Sequence, residues 1–302
     1  MVQTTKTREM NRTIYGLLAV VVLLCTTGRA TAQLNPLGSQ YYNNQYLINP
    51  ALAGTAHGLK LNAAYRKLWS GIPGAPVTQN VTADYGFGKV GVGLNVNNES
   101  AGLLRQTRVV GSYAYHLPLD SGRNHLSFGV SVGMMSQRVE DMDINGNPND
   151  ITVGEYNGQR TYLDGDFGAA FVSGGLTVQA AIPNLKSFFK KDVVKLADVA
   201  TFYTSVGYAF SLGNGMGLEP MVAYRGVQGF DNLMDVGAQL AIADRRFLVQ
   251  AMYHSSKSAT MGLGIDISKR YLLSGMYTTQ TSQLSGYTNG SFEFNLRINL
   301  TK

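Results

Sequence analysis

The chain has 302 residues, of which 44% are hydrophobic and only 15% charged, with 35 glycines, one cysteine and a formal net charge of +6. A single cysteine excludes an internal disulfide framework and a cysteine-cluster metal site. The cations form no basic cluster interleaved with aromatics, which argues against a nucleic-acid partner.

The first element is an export signal. Lys6, Arg8 and Arg12 precede an apolar run from Ile14 to Cys25, and Ala30-Thr31-Ala32 supplies a small-x-small cleavage pattern. The run is shorter than the ~20 residues a membrane-spanning helix needs. Cys25 suggests a lipoprotein, but Leu24 stands where a small residue is wanted, so cleavage before Gln33 fits better. Residues 1–32 are therefore read as a signal peptide. Cleavage there removes the only cysteine. It also removes Lys6, Arg8, Arg12 and Arg29 against Glu9, which is half of the +6.

Residues 33–57 show no periodicity and are dominated by Asn, Gln, Tyr and Pro, with Asn49-Pro50 marking a turn. The stretch is too polar for a lipid-facing strand and too aromatic for a disordered tail. From residue 58 onward the chain alternates. Short stretches place an apolar or aromatic residue at every second position and break at Gly, Asn, Asp or Ser. A period of two belongs to β-strands. The spacing predicts strands over 59–69, 77–85, 89–97, 106–117, 125–139, 164–173, 175–182, 200–212, 216–225, 232–243, 245–254, 259–268, 271–279 and 291–300. That makes about fourteen, an even number as bacterial barrels prefer.

Every second connection is tight, at 86–88, 119–123, 174–175, 213–215, 244 and 269–270, whereas the others are mostly longer, such as 140–163, 183–199 and 280–290. Short turns at one end and long loops at the other are the outer-membrane pattern, and a soluble sandwich gives no reason for it. The expected fold is all-β: a transmembrane antiparallel β-barrel over residues 58–302 in the cell outer membrane, with an N-terminal periplasmic or plug segment over 33–57.

The faces agree with this. Met261, Leu263, Ile265 and Ile267 would meet lipid, while Gly262, Gly264, Asp266 and Ser268 would face the lumen. Arg66, Arg108, Arg225 and Arg297, with Asp166, Glu219, Asp235, Asp266 and Glu293, are the candidate lumen charges; both a paired network and a hydrated interior satisfy the sequence. Tyr113, Tyr115, Tyr253, Tyr271 and Tyr277 lie near strand ends, where amphipathic rings suit a membrane interface.

Motifs for chemistry are weak. Asp141-Met142-Asp143-Ile144-Asn145-Gly146 opens like a calcium loop, but Thr152 stands where the closing carboxylate belongs and Pro148 interrupts, so an acidic extracellular loop is the simpler reading. His57, His116, His125 and His254 share no metal-clamping spacing. His254-Ser255-Ser256 suggests a nucleophile and base, yet strand neighbours point to opposite faces. Gly91-Val92-Gly93 lies within a strand with no helix after it, so it is no phosphate cradle. No cofactor and no enzymatic activity is expected.

One set of motifs is more specific. Ser39-Gln40-Tyr41 is followed by Asn49-Pro50-Ala51 with Gly54, then by Tyr65-Arg66-Lys67-Leu68-Trp69, Gly71 and Gly74-Ala75-Pro76-Val77-Thr78-Gln79. In this order, directly after a signal peptide, the run resembles the PorP/SprF family of Bacteroidetes, outer-membrane proteins of the type IX secretion and gliding machinery. The resemblance implies a non-catalytic role beside periplasmic secretion and peptidoglycan-anchoring components, in export or surface attachment of large adhesins with a C-terminal sorting domain. The motif residues Ser39, Gln40, Tyr41, Asn49, Pro50, Ala51, Gly54, Tyr65, Arg66, Trp69, Gly74 and Pro76 are the candidates for plugging the wide barrel or for contacting a partner, and the two readings are compatible. The end of the chain departs from the outer-membrane habit: Asn299-Leu300-Thr301-Lys302 has no terminal aromatic, so either Phe294 serves or the last strand pairs weakly. The alternative function is a diffusion channel or hydrophobic-substrate transporter with residues 33–54 as a hatch.

Overall fold

A computed structural model describes residues 39–69, 71–120, 124–139, 161–186, 200–227, 232–280 and 289–300. The signal peptide and the Asp141–Gly146 loop lie outside the described residues.

Fifteen strand segments follow one another: β1 Gly58–Lys67, β2 Val77–Phe87, β3 Val90–Ala101, β4 Leu104–Pro118, β5 His125–Val139, β6 Thr161–Ser173, β7 Leu176–Ile182, β8 Ala200–Tyr208, β9 Phe210–Gly213, β10 Met216–Val227, β11 Leu233–Ile242, β12 Phe247–His254, β13 Ser258–Ile267, β14 Tyr271–Thr278 and β15 Ser291–Leu300. β8 and β9 are one stave broken at Ala209, since both pair with β10. That leaves fourteen staves. Each pairs antiparallel with its sequence neighbours, and β1 closes the ring on β15 from Leu59↔Leu300 to Lys67↔Phe292. The last strand therefore pairs along its length with both β1 and β14, and the weak pairing admitted for an end without an aromatic does not occur. A closed ring leaves no edge.

The alternation in the sequence becomes two faces. On β13, Met261 and Leu263 are 65% and 68% exposed outside, whereas the inward Thr260 and Asp266 are 4% and 7% exposed. Outward aromatics gather in two belts. Tyr85, Phe87, Tyr113, Tyr115, Tyr208, Phe210, Phe247 and Tyr271 sit toward the tight-turn rim, and Tyr65, Tyr224, Tyr253, Tyr277 and Phe292 toward the opposite rim. Between them runs a band of Val, Leu, Ile and Met, the arrangement of a barrel seated in an outer membrane.

One rim carries only tight turns among the described connections, several built on left-handed residues such as Gly88, Gly174, Asn214 and Gly215. The other rim carries the long connections. Two of its hairpins are also tight, at Gly102-Leu103 and Ser255–Lys257, so the segregation by length is strong but incomplete. Among the described residues no core forms as in a soluble protein. The buried apolar side chains lie in the bore, where Tyr41 and Ile48 pack against Tyr203, Met221, Ala223 and Met252.

Candidate functional site

The site is the bore and the segment within it. Residues 39–57 run from the long-loop end of the lumen down to the tight-turn rim, where the chain enters β1. The segment makes no strand. Gln45–Leu47 and Pro50–Leu52 form two short 3-10 turns. The second is encoded locally: the Asn49 side chain accepts from the Ala51 N–H at 3.0 Å, and Pro50 supplies a fixed φ at the first helical position.

The head of the segment is held by charge. Ser39 N–H donates to Glu293 Oε2 at 2.7 Å, and Gln40 Nε2 donates to Glu293 Oε1. Arg66 lies 4.0 Å from the same carboxylate. Tyr41 O–H donates to Asp235 Oδ2 at 2.6 Å, and Asp235 also accepts from Arg225 Nε at 3.0 Å and His254 Nδ1 at 2.7 Å. His254 continues through Thr260 at 2.8 Å to Thr278 at 2.7 Å. Asp235, His254 and Thr260 thus have the connectivity of a proton relay. Thr260 is buried and bonded onward, however, so the chain ties wall to segment and offers no exposed nucleophile. Ser255 does not share in it and accepts from the Met234 N–H instead.

The middle is held by neutral polar groups, and the tail by a carboxylate and an imidazole. Asn43 donates to Ser274 at 3.0 Å, Asn44 to Thr82 at 2.9 Å, Tyr46 to Ser112 at 2.8 Å, and Asn49 to Gln179 at 3.1 Å. The Gly54 N–H donates to Asp84 at 2.9 Å, and His116 Nε2 donates to the Ala53 carbonyl at 3.0 Å. These partners sit on β2, β4, β7, β11, β14 and β15, on all sides of the ring. Burial pushes the phenols of Tyr41, Tyr42 and Tyr46 above the usual tyrosine range, so they remain donors at neutral pH.

Glycines on the lumen wall carry the imprint of this path. A Cβ at Gly91 would meet the Ala53 carbonyl, one at Gly129 the Pro50–Ala51 peptide, one at Gly168 the Asn49 side chain and one at Gly93 the Tyr46 ring. Gly54, at φ +63, lies backbone against backbone on Gly86 and Gly91. The Gly91-Val92-Gly93 pair is thus a seat for the segment.

The motif residues do not form one site. Ser39, Gln40, Tyr41, Asn49, Pro50, Ala51 and Gly54 lie in the bore with Arg66. Tyr65 points outward and is 44% exposed. Trp69, Gly74 and Pro76 lie in the β1–β2 connection, which Pro76 closes by accepting from the Leu68 N–H at 2.9 Å, while Gly74 accepts from Gly102 at 2.8 Å. Among the lumen charges, Arg108 reaches Asp164 at 3.2 Å and Asp166 at 2.6 Å, and Arg297 lies 3.5 Å from Asp266. Glu219 shares the inward parity of Met221, Ala223 and Arg225 on β10. The chain after β7 joins this set, with Asn184 N–H donating to Asp166 and Lys186 N–H to Asp164. Sequence reasoning missed Thr82, Asp84, Ser112, His116, Gln179 and His254. Inward parity marks each as a lumen residue, but nothing local marks it as a partner of residues 39–54. Among the described residues no group of three or more His, Cys, Asp or Glu could hold a metal.

Comparison with known proteins adds one specific match. The family model described as type IX secretion system membrane protein PorP/SprF matches residues 30–298. No curated protein matches. Among solved structures, the outer membrane protein Omp33 of Acinetobacter baumannii is similar at 9% identity and a TM-score of 0.49, over 81% of this chain and 98% of that one. A triple mutant of Rhodopseudomonas blastica porin matches at 9% identity and a TM-score of 0.36, over 80% and 99%.

Proposed function

Because this chain belongs to the PorP/SprF family of type IX secretion system membrane proteins, we propose that it works as a closed, non-catalytic scaffold of that machinery, supporting export or surface attachment of secreted proteins. The observation that carries the reading is the segment 39–54, hydrogen-bonded to strands on all sides of the bore. A fourteen-stranded ring would otherwise enclose an aqueous channel. Filling that space with ordered, charge-anchored chain suits a platform better than a pore.

In this reading Ser39, Gln40, Tyr41, Asn49, Pro50, Ala51 and Gly54 seat the plug. The tight-turn rim, where β1 begins and β15 ends, faces the periplasm. It meets the secretion and peptidoglycan-anchoring components, and the long-loop rim, with Trp69, Gly74 and Pro76, meets the secreted protein. Affinity capture of the tagged full-length protein from its own cells tests the partners. Recovery of periplasmic type IX components, or of a large secreted protein with a C-terminal sorting domain, is expected. Recovery of neither contradicts the reading.

A further inference from the structure

The tight-turn rim is charged on one side only. The β6–β7 and β9–β10 turns are Gly174-Gly175 and Asn214-Gly215 and carry no charge. The other side of the ring runs from the β11–β12 turn through the β13–β14 turn and the β15–β1 closure to the β2–β3 turn. That arc bears Arg245, Arg246, Lys269, Arg270, Lys60 and Lys89.

Two of these cations are engaged. Lys60 pairs with Asp84 at 3.3 Å, and Arg245 sits in the field of Glu219. Lys89, Arg246, Lys269 and Arg270 are exposed and enter no ion pair among the described residues. The four turns and closures of this arc hold one further carboxylate, Asp244, and it leans toward the neutral side. Its N–H donates to the Gly215 carbonyl at 2.8 Å, and a Cβ on Gly215 would meet its Oδ1. In the next turn along, Asp120 accepts from the Asn124 N–H at 3.3 Å. The chain that adjoins these turns outside the described residues, 121–123 and 301–302, carries Ser, Gly, Arg, Thr and Lys and no acidic side chain.

Register gives the arc a direction. The carbonyls of Arg246, Arg270 and Lys89 accept from the N–H groups of Asp266, Asn299 and His116, all of inward parity. Outward parity on the same hairpins belongs to Phe247, Tyr271 and Tyr115, which form the aromatic belt. The cations therefore ring the mouth of the bore and do not lie against the bilayer, which favours a soluble partner over a lipid headgroup. Six strand-to-strand steps of ~4.8 Å make the arc roughly 30 Å long. That is about the width of one side of a standard protein interface, ~800 Å². Uncompensated like charges repel one another, and an acidic surface relieves them while steering its own approach.

We propose that the arc Arg246–Lys269–Arg270–Lys89 is the docking surface for an acidic, Asp- and Glu-rich face of a periplasmic protein, and that the neutral arc at Gly174 and Asn214 stays free. This rests on the scaffold reading above, in which the tight-turn rim faces the periplasm.

The test uses purified full-length protein in nanodiscs of zwitterionic phospholipid. The probes are a fluorescent glutamate-rich peptide, its lysine counterpart, a soluble disaccharide–tetrapeptide of the cell wall, and vesicles of anionic phospholipid. The acidic peptide should bind in preference to the other three and release as salt is raised. R246Q/K269Q/R270Q should weaken it roughly tenfold. K67Q/R138Q/K257Q, which removes as many cations from the opposite rim, should leave it unchanged. Salt-independent binding, equal loss in both variants, or preference for the cell-wall fragment or the vesicles would each overturn the assignment. In intact cells, a photo-crosslinker at Lys269 should give a protein adduct whose cross-linked peptide is rich in Asp and Glu, and one at Asn214 should not. Equal adducts at both positions, or none at Lys269, would also overturn it. The identity of the adduct bears on the scaffold reading instead: an acidic protein from outside the secretion machinery would contradict that reading and leave the docking surface standing. The salt series uses the unmodified protein, so it stands even if the triple substitution impairs assembly.

Discussion

Asp235 is fully buried and accepts from Tyr41, Arg225 and His254 at once. Its removal leaves a buried arginine without its counter-charge, a loss of about 3–5 kcal/mol. Asp235→Ala should therefore lower the temperature at which the folded barrel loses its heat-resistant migration on gels, far more than Tyr41→Phe, which removes the charge-assisted hydrogen bond to Asp235, worth about 1.5–3 kcal/mol. Equal effects would mean that Asp235 does not depend on its arginine. At Gly129 a methyl group would meet the Pro50–Ala51 peptide. Gly129→Ala should displace the segment at an overpacking cost of about 1–3 kcal/mol, read as faster proteolysis within residues 39–54 while the barrel stays folded. The phenols also set a pH dependence. Burial raises Tyr41, Tyr42 and Tyr46 above the ordinary value of 10.0. Their contribution is then complete below pH 10 and declines only above it, as the unfolded chain ionises first. Stability measured between pH 7 and 9 should show no loss from this source, and absorbance of tyrosinate should reveal a class of phenols that titrates late. These pairings were invisible in the sequence. Arg108 and Asp166 are 58 residues apart, and only strand register brings them together. Parity assigned each charge to the lumen; the identity of its partner depends on the fold.

The strands were the most legible elements, because one buried and one lipid-bathed face impose a period of two on every stave. The break at Ala209 was not legible, as alanine suits either a strand or a kink. The true length of β3 was also missed, since its polar end Asn98-Glu99-Ser100 loses the alternation. Residues 39–57 were legible only as an exception, and their path follows from close contacts with wall glycines. The lipid-facing reading of the outer surface has its own test. Leu263 is 68% exposed in the middle of the apolar band, with Gly264 beside it facing the lumen. Leu263→Arg should destabilise the barrel by about 2–4 kcal/mol in denaturant unfolding from lipid vesicles. A soluble sheet protein would be insensitive to a charge at an exposed site, so a neutral result would count against membrane burial of this face.

At the scale of the molecule, closure and filling act together. The ring removes every strand edge, and the segment occupies the space that closure creates. Alternation across the chain establishes the barrel but applies to any barrel of this size, porin or scaffold. What distinguishes a scaffold is a bore that stays shut. The most direct test is the conductance of the purified full-length protein in planar lipid bilayers, beside a variant lacking residues 39–54 and one carrying Asp235→Ala. The account predicts negligible steady conductance for the intact protein, a stable open conductance for the deletion, and intermittent opening for Asp235→Ala. A stable, open conductance of the intact protein, unchanged by the deletion, would contradict it.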